Sequence, residues 1–277
     1  SSPLTEDDSI TKFTASYQMS EDTLMYFTRS EGYRPGGWNR NAGVTPNCRN
    51  YATTNPNYCG GSPGDGTYRA DIVLAYKSDN VLNNEIGIKT LLMDGKMRLN
   101  ATWYSIEWTD IQVSQFDPVH VNFITFIENA ADADITGLEA DMLYYPSDSL
   151  TISAALSLND TEIVRDVAQT IPIVDIGNPL PLAPKRQGNV RIRKDLSSNQ
   201  SYVQAAVKYA SNTYNSFEAA KVLDQGPYTI VDLAYGLTIN DVDVEFFIRN
   251  ANDERANLYY NDQDDIPRIT TNRPRNM

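Results

Sequence analysis

The stretch Leu150-Thr151-Ile152-Ser153-Ala154-Ala155-Leu156-Ser157-Leu158-Asn159 decides the fold. Leu150, Ile152, Ala154, Leu156 and Leu158 fall on one side of an extended chain, and Thr151, Ser153, Ser157 and Asn159 on the other. A helix would scatter these residues around its circumference, so the period of two specifies a strand with one oily and one wet face. The same division separates Leu82, Ile86, Ile88 and Leu92 from Asn83, Glu85, Gly87 and Lys89. It recurs with Val190, Ile192 and Leu196 against Asn189, Arg191, Arg193 and Asp195, and with Val203, Ala205, Val207 and Tyr209 against Gln204 and Lys208. Near the end, Val242, Val244, Phe246 and Ile248 oppose Asp243, Glu245 and Arg249.

Connections between these segments alternate in length. Tight-turn chemistry marks Met19 to Asp22, the Asp94-Gly95 turn within Met93 to Lys96, Pro146 to Asp148, Ser197 to Asn199, and Asn240-Asp241. Long connections lie near 32–78, 115–133, 163–185, 213–226 and 252–268. In an up-and-down antiparallel sheet, alternate connections emerge at the same edge, so the turns collect at one rim and the long loops at the other. That is the plan of a transmembrane antiparallel up-and-down β-barrel, with an apolar band toward lipid and a polar interior. The soluble rival is a β-sandwich, whose apolar faces meet in a dry core. Strands of about ten or more residues exceed the soluble mode of about 5 to 6 and suit a tilted bilayer crossing. The wet face also carries both charge signs, as Glu85, Lys89, Arg98, Glu139, Asp141, Arg191, Arg193, Lys208, Asp232, Glu245 and Arg249, which suits a hydrated lumen.

Composition removes other classes. The 277 residues hold 23 Lys and Arg against 36 Asp and Glu, a net charge of -13 that argues against a nucleic-acid partner. Apolar runs such as Ile72 to Tyr76 fall far short of the roughly 18 to 20 residues of a membrane-spanning helix. No basic start followed by an apolar segment precedes Leu4 to Ser9, so a leader is read as removed or as lying outside this segment. Cys48 and Cys59, close together among Asn, Gly, Pro and Tyr, read as a small disulfide loop, with free thiols as the alternative. A metal site is disfavoured because His120, the sole histidine, is distant and no second cysteine pair exists. With that one imidazole in an expected surface loop beside Asp117-Pro118, no nucleophile has a base, and no enzyme and no cofactor are expected. Glu139 and Asp141 lie two apart on one strand face and are expected to pair with neighbouring Arg or Lys. Asp253, Glu254, Asp262, Asp264 and Asp265 lack the spacing of a calcium loop and read as a solvated segment.

Several motifs then narrow the reading. Tyr26-Phe27-Thr28-Arg29-Ser30-Glu31-Gly32-Tyr33-Arg34-Pro35-Gly36-Gly37 resembles a strand and loop opening of the TonB-dependent outer-membrane receptors. So do Asn84-Glu85-Ile86-Gly87-Ile88-Lys89, Asp94-Gly95-Lys96-Met97-Arg98-Leu99-Asn100, Trp108-Thr109-Asp110-Ile111-Gln112, and Glu128-Asn129-Ala130 with Gly137-Leu138-Glu139-Ala140. Pro181-Leu182-Ala183-Pro184 and Asn250-Ala251-Asn252-Asp253-Glu254-Arg255 follow in the same order. The resemblance implies a bacterial outer-membrane barrel of about 22 strands, plugged by an N-terminal domain and driven by TonB to import a scarce, bulky ligand. It covers the C-terminal portion of that barrel, about ten strands spanning residues 1–277, with the plug expected to lie outside this chain. The ending departs from the family pattern, since Thr271-Asn272-Arg273-Pro274-Arg275 is followed by Met277 rather than a last strand closing on an aromatic residue. The chain thus reads as a fragment or as part of a longer one, and a sheet with open edges in lipid is expected to be unstable alone.

In such a receptor the ligand meets inner walls and loops on the extracellular side. The candidates are therefore Tyr33, Arg34, Trp38, Arg40 and Tyr58 in the first long loop, and Tyr259 and Tyr260 in the last. Arginine suits an anionic chelate and aromatic rings suit a planar one. The alternative is that the aromatics anchor the barrel at headgroup level and Glu31 to Gly37 shapes the strand exit. The expected partners are TonB, outer-membrane lipid and a ferric siderophore or other large ligand. The rival functions are a passive porin-like channel and a TonB-dependent receptor for cobalamin or an oligosaccharide.

Overall fold

The structure is a computed structural model that describes residues 9–39, 75–116, 125–167, 175–196, 200–217, 223–261 and 268–277. No helix forms among them; every regular element is a strand. In chain order these are β1 (Lys12–Ser20), β2 (Thr23–Arg34), β3 (Gly37–Trp38), β4 (Ala75–Tyr76), β5 (Asp79–Leu92), β6 (Met97–Phe116), β7 (Thr125–Ser147) and β8 (Leu150–Asp166). There follow β9 (Arg186–Leu196), β10 (Ser201–Ala210), β11 (Thr213–Tyr214), β12 (Asp224–Gln225), β13 (Tyr228–Ile239), β14 (Val242–Ile248), β15 (Asn257–Asn261) and β16 (Arg268–Thr271). Ten of them form one antiparallel sheet in the order β1-β2-β5-β6-β7-β8-β9-β10-β13-β14, each long strand beside its predecessor. The short strands pair among themselves at the loop rim, as β3-β4, β11-β12 and β15-β16.

Turn residues close the opposite rim. Asn240-Asp241 carries φ of 48° and 67°, the doubly left-handed geometry that matches the twist of a two-residue hairpin, while the four-residue turn 93–96 carries 57°, 56° and 79° at Met93, Asp94 and Gly95.

Register carries the oily face across the sheet. Phe27, Ile86, Trp103, Leu138 and Leu158 stand opposite one another in a row, and Tyr144, Ile152, Ile192, Ala205, Leu233 and Ile248 form a second row nearer the turns. Phe27, Ile86, Trp103 and Leu138 are 38–49% exposed, so the described residues place no second protein layer over them. A sandwich would bury this face; here it is left for hydrocarbon. Loopward of the band the same face turns acidic. Glu31, Leu82, Glu107, Asp134 and Glu162 are opposite one another on successive strands.

On the wet face three tyrosines brace three glycines. Tyr26 lies across Gly87, Tyr104 across Gly137 and Tyr202 across Gly236, each in register on the adjacent strand. Each hydroxyl then reaches the strand beyond: Tyr26 shares a 2.8 Å hydrogen bond with Thr102, Tyr104 donates to Asn159, and Tyr202 donates to Glu245 at 2.5 Å. A glycine bare of Cβ is what lets the ring lie flat on the neighbouring backbone.

The strands on either side of the expected loop 115–133 run further than alternation indicates. β6 continues to Phe116 and β7 begins at Thr125, so only 117–124 separates them. The period is lost there for two reasons. Asp110 adopts a left-handed φ of 54° and makes a β-bulge between Trp108 and Ile111, and Ala130, Ala131 and Ala133 are fully buried whichever face they occupy. These alanines form a small core with Ile111, Ile163 and Leu180, flanked by Trp108, Val113, Ile135, Ala183 and Phe217. Asp141 likewise departs from expectation: its carboxylate accepts from Asn100 Nδ2 at 3.0 and 3.1 Å rather than from Arg or Lys.

Candidate ligand-binding site at the loop rim

The last residues of β2 and the first of β5 meet at Arg34 and Asp79, paired in register. Asp79 is 1% exposed, and an isolated buried carboxylate there would be costly. It is satisfied from three sides. Arg34 Nε donates to both carboxylate oxygens at 2.8 and 3.1 Å, its backbone N–H donates to Oδ1 at 3.1 Å, and Trp108 Nε1 donates to Oδ2 at 3.1 Å. Arg34 Nη2 completes the ion pair. The guanidinium carbon sits 5.5 Å from the Trp108 ring centroid, while 53% of the Arg34 side chain stays exposed. This cation is fixed by a carboxylate and an indole with one flank open to solvent.

The bulge at Asp110 places the next two anchors. Gln112 Nε2 donates to the carbonyls of Pro35 at 3.0 Å and Lys77 at 2.9 Å, on either side of the first long loop. Asn129 accepts from the Lys77 N–H at 2.8 Å and donates to its carbonyl at 3.1 Å and to Asp110 O at 2.6 Å. Asp110 N–H donates to Asp132 at 2.7 Å, and Asp132 accepts from Arg165 Nε at 2.5 Å. One hydrogen-bonded chain therefore joins the tops of β2, β5, β6, β7 and β8.

The sequence-derived candidates do not converge on one point. Arg34 faces the wet side, but Tyr33, its neighbour in β2, shares the face of Met25 and Phe27, because consecutive strand residues alternate. Trp38 is in β3, half-exposed, beside Asn39, whose side-chain amide donates to Ile127 O and accepts from Ile127 N–H at 2.7 Å each. Tyr259 and Tyr260 lie on the β15-β16 hairpin opposite Thr270 and Ile269. Arg40, Tyr58, Cys48, Cys59 and His120 lie outside the described residues, as do Asp262, Asp264 and Asp265.

Asp253 is held below the usual carboxylate range, first by the Arg275 backbone N–H, donating at 3.0 Å, with Arg255 Nη2 3.1 Å away assisting against desolvation. Asn250 holds the same segment, accepting from Glu254 N–H at 2.8 Å and donating to Glu254 O and Arg273 O at 3.0 Å each. Asp79, Trp108, Gln112, Asn129, Asp132 and Arg165 carry no catalytic motif. The available signal was that three of them lie in Trp108 to Gln112 and Glu128 to Ala130, segments already notable for their fixed order.

The family model described as "TonB dependent receptor-like, beta-barrel" matches residues 4–251. The chain belongs to the TonB-dependent receptor family. It is a barrel segment of the bacterial outer membrane, and the oily rows described above are its lipid face. Among solved structures, the chain is similar to the ferric yersiniabactin uptake receptor FyuA from Yersinia pestis, at TM-score 0.70 and 17% identity, covering 95% of this chain and 35% of that one. It is also similar to the siderophore receptor PiuA from Acinetobacter baumannii, at 0.67 and 19%, covering 95% and 34%. The ferripyoverdine receptor of Pseudomonas aeruginosa, solved with ferripyoverdine bound, matches at 0.62 and 13%, covering 96% and 31%. The TonB-dependent receptor segment thus spans about a third of the length of the receptors it matches.

Proposed function

We propose that the receptor containing this segment imports a ferric siderophore across the outer membrane, by capture at the loop rim and passage gated through TonB. The observation that carries the reading is the family match over residues 4–251; the siderophore names of its structural neighbours support the ligand class. On this reading the loop rim is extracellular. Arg34 meets an anionic group of the ligand, Trp38, Tyr259 and Tyr260 offer ring surfaces, and Tyr33 on the lipid face sits at headgroup level. Residues of this segment bind and orient; no bond in the ligand is made or broken. The test is radio-iron uptake by cells with the full-length gene intact or deleted, with and without a protonophore. Deletion and gradient collapse are each expected to abolish uptake of the true ligand. Uptake that ignores the gradient would mark a passive channel instead.

A further inference from the structure

Above Leu158 the wall changes its partner. β9 pairs with β8 only as far as Leu158 opposite Arg186, yet β8 runs on to Asp166, so the backbone edge from Asn159 upward needs another cover. The proline-rich segment 177–185 supplies it. Gly177, at φ 93°, opens a bulge in which its N–H donates to Ile163 O at 2.8 Å and Ile163 N–H donates to Asn178 O at 2.9 Å. Leu180 N–H donates to Thr161 Oγ1 at 3.0 Å and Asn159 N–H to Lys185 O at 2.9 Å, while Pro179, Pro181 and Pro184 have no N–H to place. In an extended chain the N–H groups of residues two apart point to the same edge, so that of Leu182 would follow Leu180 toward β8. It donates instead to Tyr214 O of β11 at 2.8 Å, and the reversal falls at a φ of 58°, a left-handed conformation that leucine disfavours. Beyond it β11 pairs with β12, Leu223 N–H donates to Asn215 Oδ1 at 2.6 Å, and Ser211 N–H donates to Arg186 O at 2.8 Å. Phe217, on the same loop as β11, packs against the small core that holds Leu180 and Ile163.

We propose that 177–185 is a splint that joins the β8-β9 loop and the β10-β13 loop into one cooperative body, which opens as a unit. A left-handed leucine persists only where its surroundings over-determine it, and what the turn at Leu182 secures is the backbone bond from the splint to β11. Coupling between the two loops is reciprocal, so loosening either one loosens the other. The three prolines also leave the splint little to offer a foreign strand, which suits a cover over a bare edge. The device does not depend on which ligand the receptor carries.

The test is residue-resolved hydrogen exchange on the full-length receptor in detergent. Leu182→Val keeps an aliphatic side chain but sets a β-branched residue where φ is positive, whereas Leu182→Gly accepts that backbone freely. The valine variant is expected to quicken exchange at 211–217 and 223–225, on the other loop, about tenfold or more, and the glycine variant to leave it within about threefold of wild type. In the reverse direction, Phe217→Ala is expected to quicken exchange at Ile163, Leu180 and Leu182 by about tenfold. Changes confined to the loop that carries the substitution would overturn the proposal. So would a glycine variant that loosens the far loop as much as valine does, since the side chain rather than the backbone turn would then be the link. Quickening that spreads equally to β2 and β5 would show that the two loops are no separate unit, and would overturn it as well.

Discussion

Gly137→Ala is the sharpest test of how the sheet is braced. A Cβ built at Gly137 overlaps Cζ and Oη of Tyr104 and comes within 2.7 Å of the Leu158 carbonyl oxygen. The ring can swing away; the carbonyl belongs to the β7-β8 ladder and cannot. Displacing the ring forfeits the Tyr104 hydrogen bond to Asn159, about 1 kcal/mol, and crowding the carbonyl adds about 1 to 3 kcal/mol of overpacking. Reduced entropy of the unfolded chain returns about 0.4 to 1 kcal/mol, which leaves a net destabilisation of about 1 to 3.6 kcal/mol. Gly87→Ala meets only the Tyr26 ring among its nearest atoms, so its cost should be smaller. Urea unfolding of the full-length receptor in detergent measures both. In a Tyr104→Ala background the cost of Gly137→Ala should fall but not vanish, because the Leu158 oxygen remains. A Gly137→Ala variant as stable as wild type, or costs that simply add in the double variant, would refute the bracing argument.

At the Arg34-Asp79 pair the cost should be asymmetric. Arg34→Ala strands a carboxylate that is 1% exposed and should cost about 3 to 5 kcal/mol, whereas Asp79→Ala leaves a half-exposed guanidinium that water can serve and should cost about 1 to 3 kcal/mol; the order of the two urea midpoints checks this. Around Asp253 the sign is set by its depressed pKa. Its contribution is fully present above the ordinary carboxylate range and is lost as pH falls through the lowered value, so protease protection of residues 250–257 should weaken in acid, and Asp253→Asn should remove that acid sensitivity.

What was legible beforehand followed from burial on one face only. Leu150 to Asn159 alternates because lipid touches one side and water the other, and β8 is a strand in register where that alternation places it. Ala131 and Ala133 read as nothing in particular, and Ala130 only as the end of the Glu128-Asn129-Ala130 motif, because once both sides of a strand are covered the alternation carries no information. Asp110 disguises the continuation of β6 in the same way, since a bulge resets the phase of everything after it. Among the site residues, Arg34 was legible as an arginine at a strand exit. Its partner Asp79, on the far side of the first long loop, was not, because only register brings the two ends together. The tyrosine-glycine braces were hidden for the same reason: Tyr26 and Gly87 are unremarkable until pairing sets them opposite each other.

The acidic row Glu31, Glu107, Asp134 and Glu162 has a mechanical meaning. Sinking it into hydrocarbon would force carboxylates on adjacent strands either to neutralise or to shed their hydration while facing one another, at a cost of kilocalories. Lifting the sheet would instead drag Phe27, Ile86, Trp103 and Leu138 into water. The two rows act as a flange and a keel that fix the vertical seating of this wall, so that a thicker bilayer should thin locally around it before hydrocarbon floods the row.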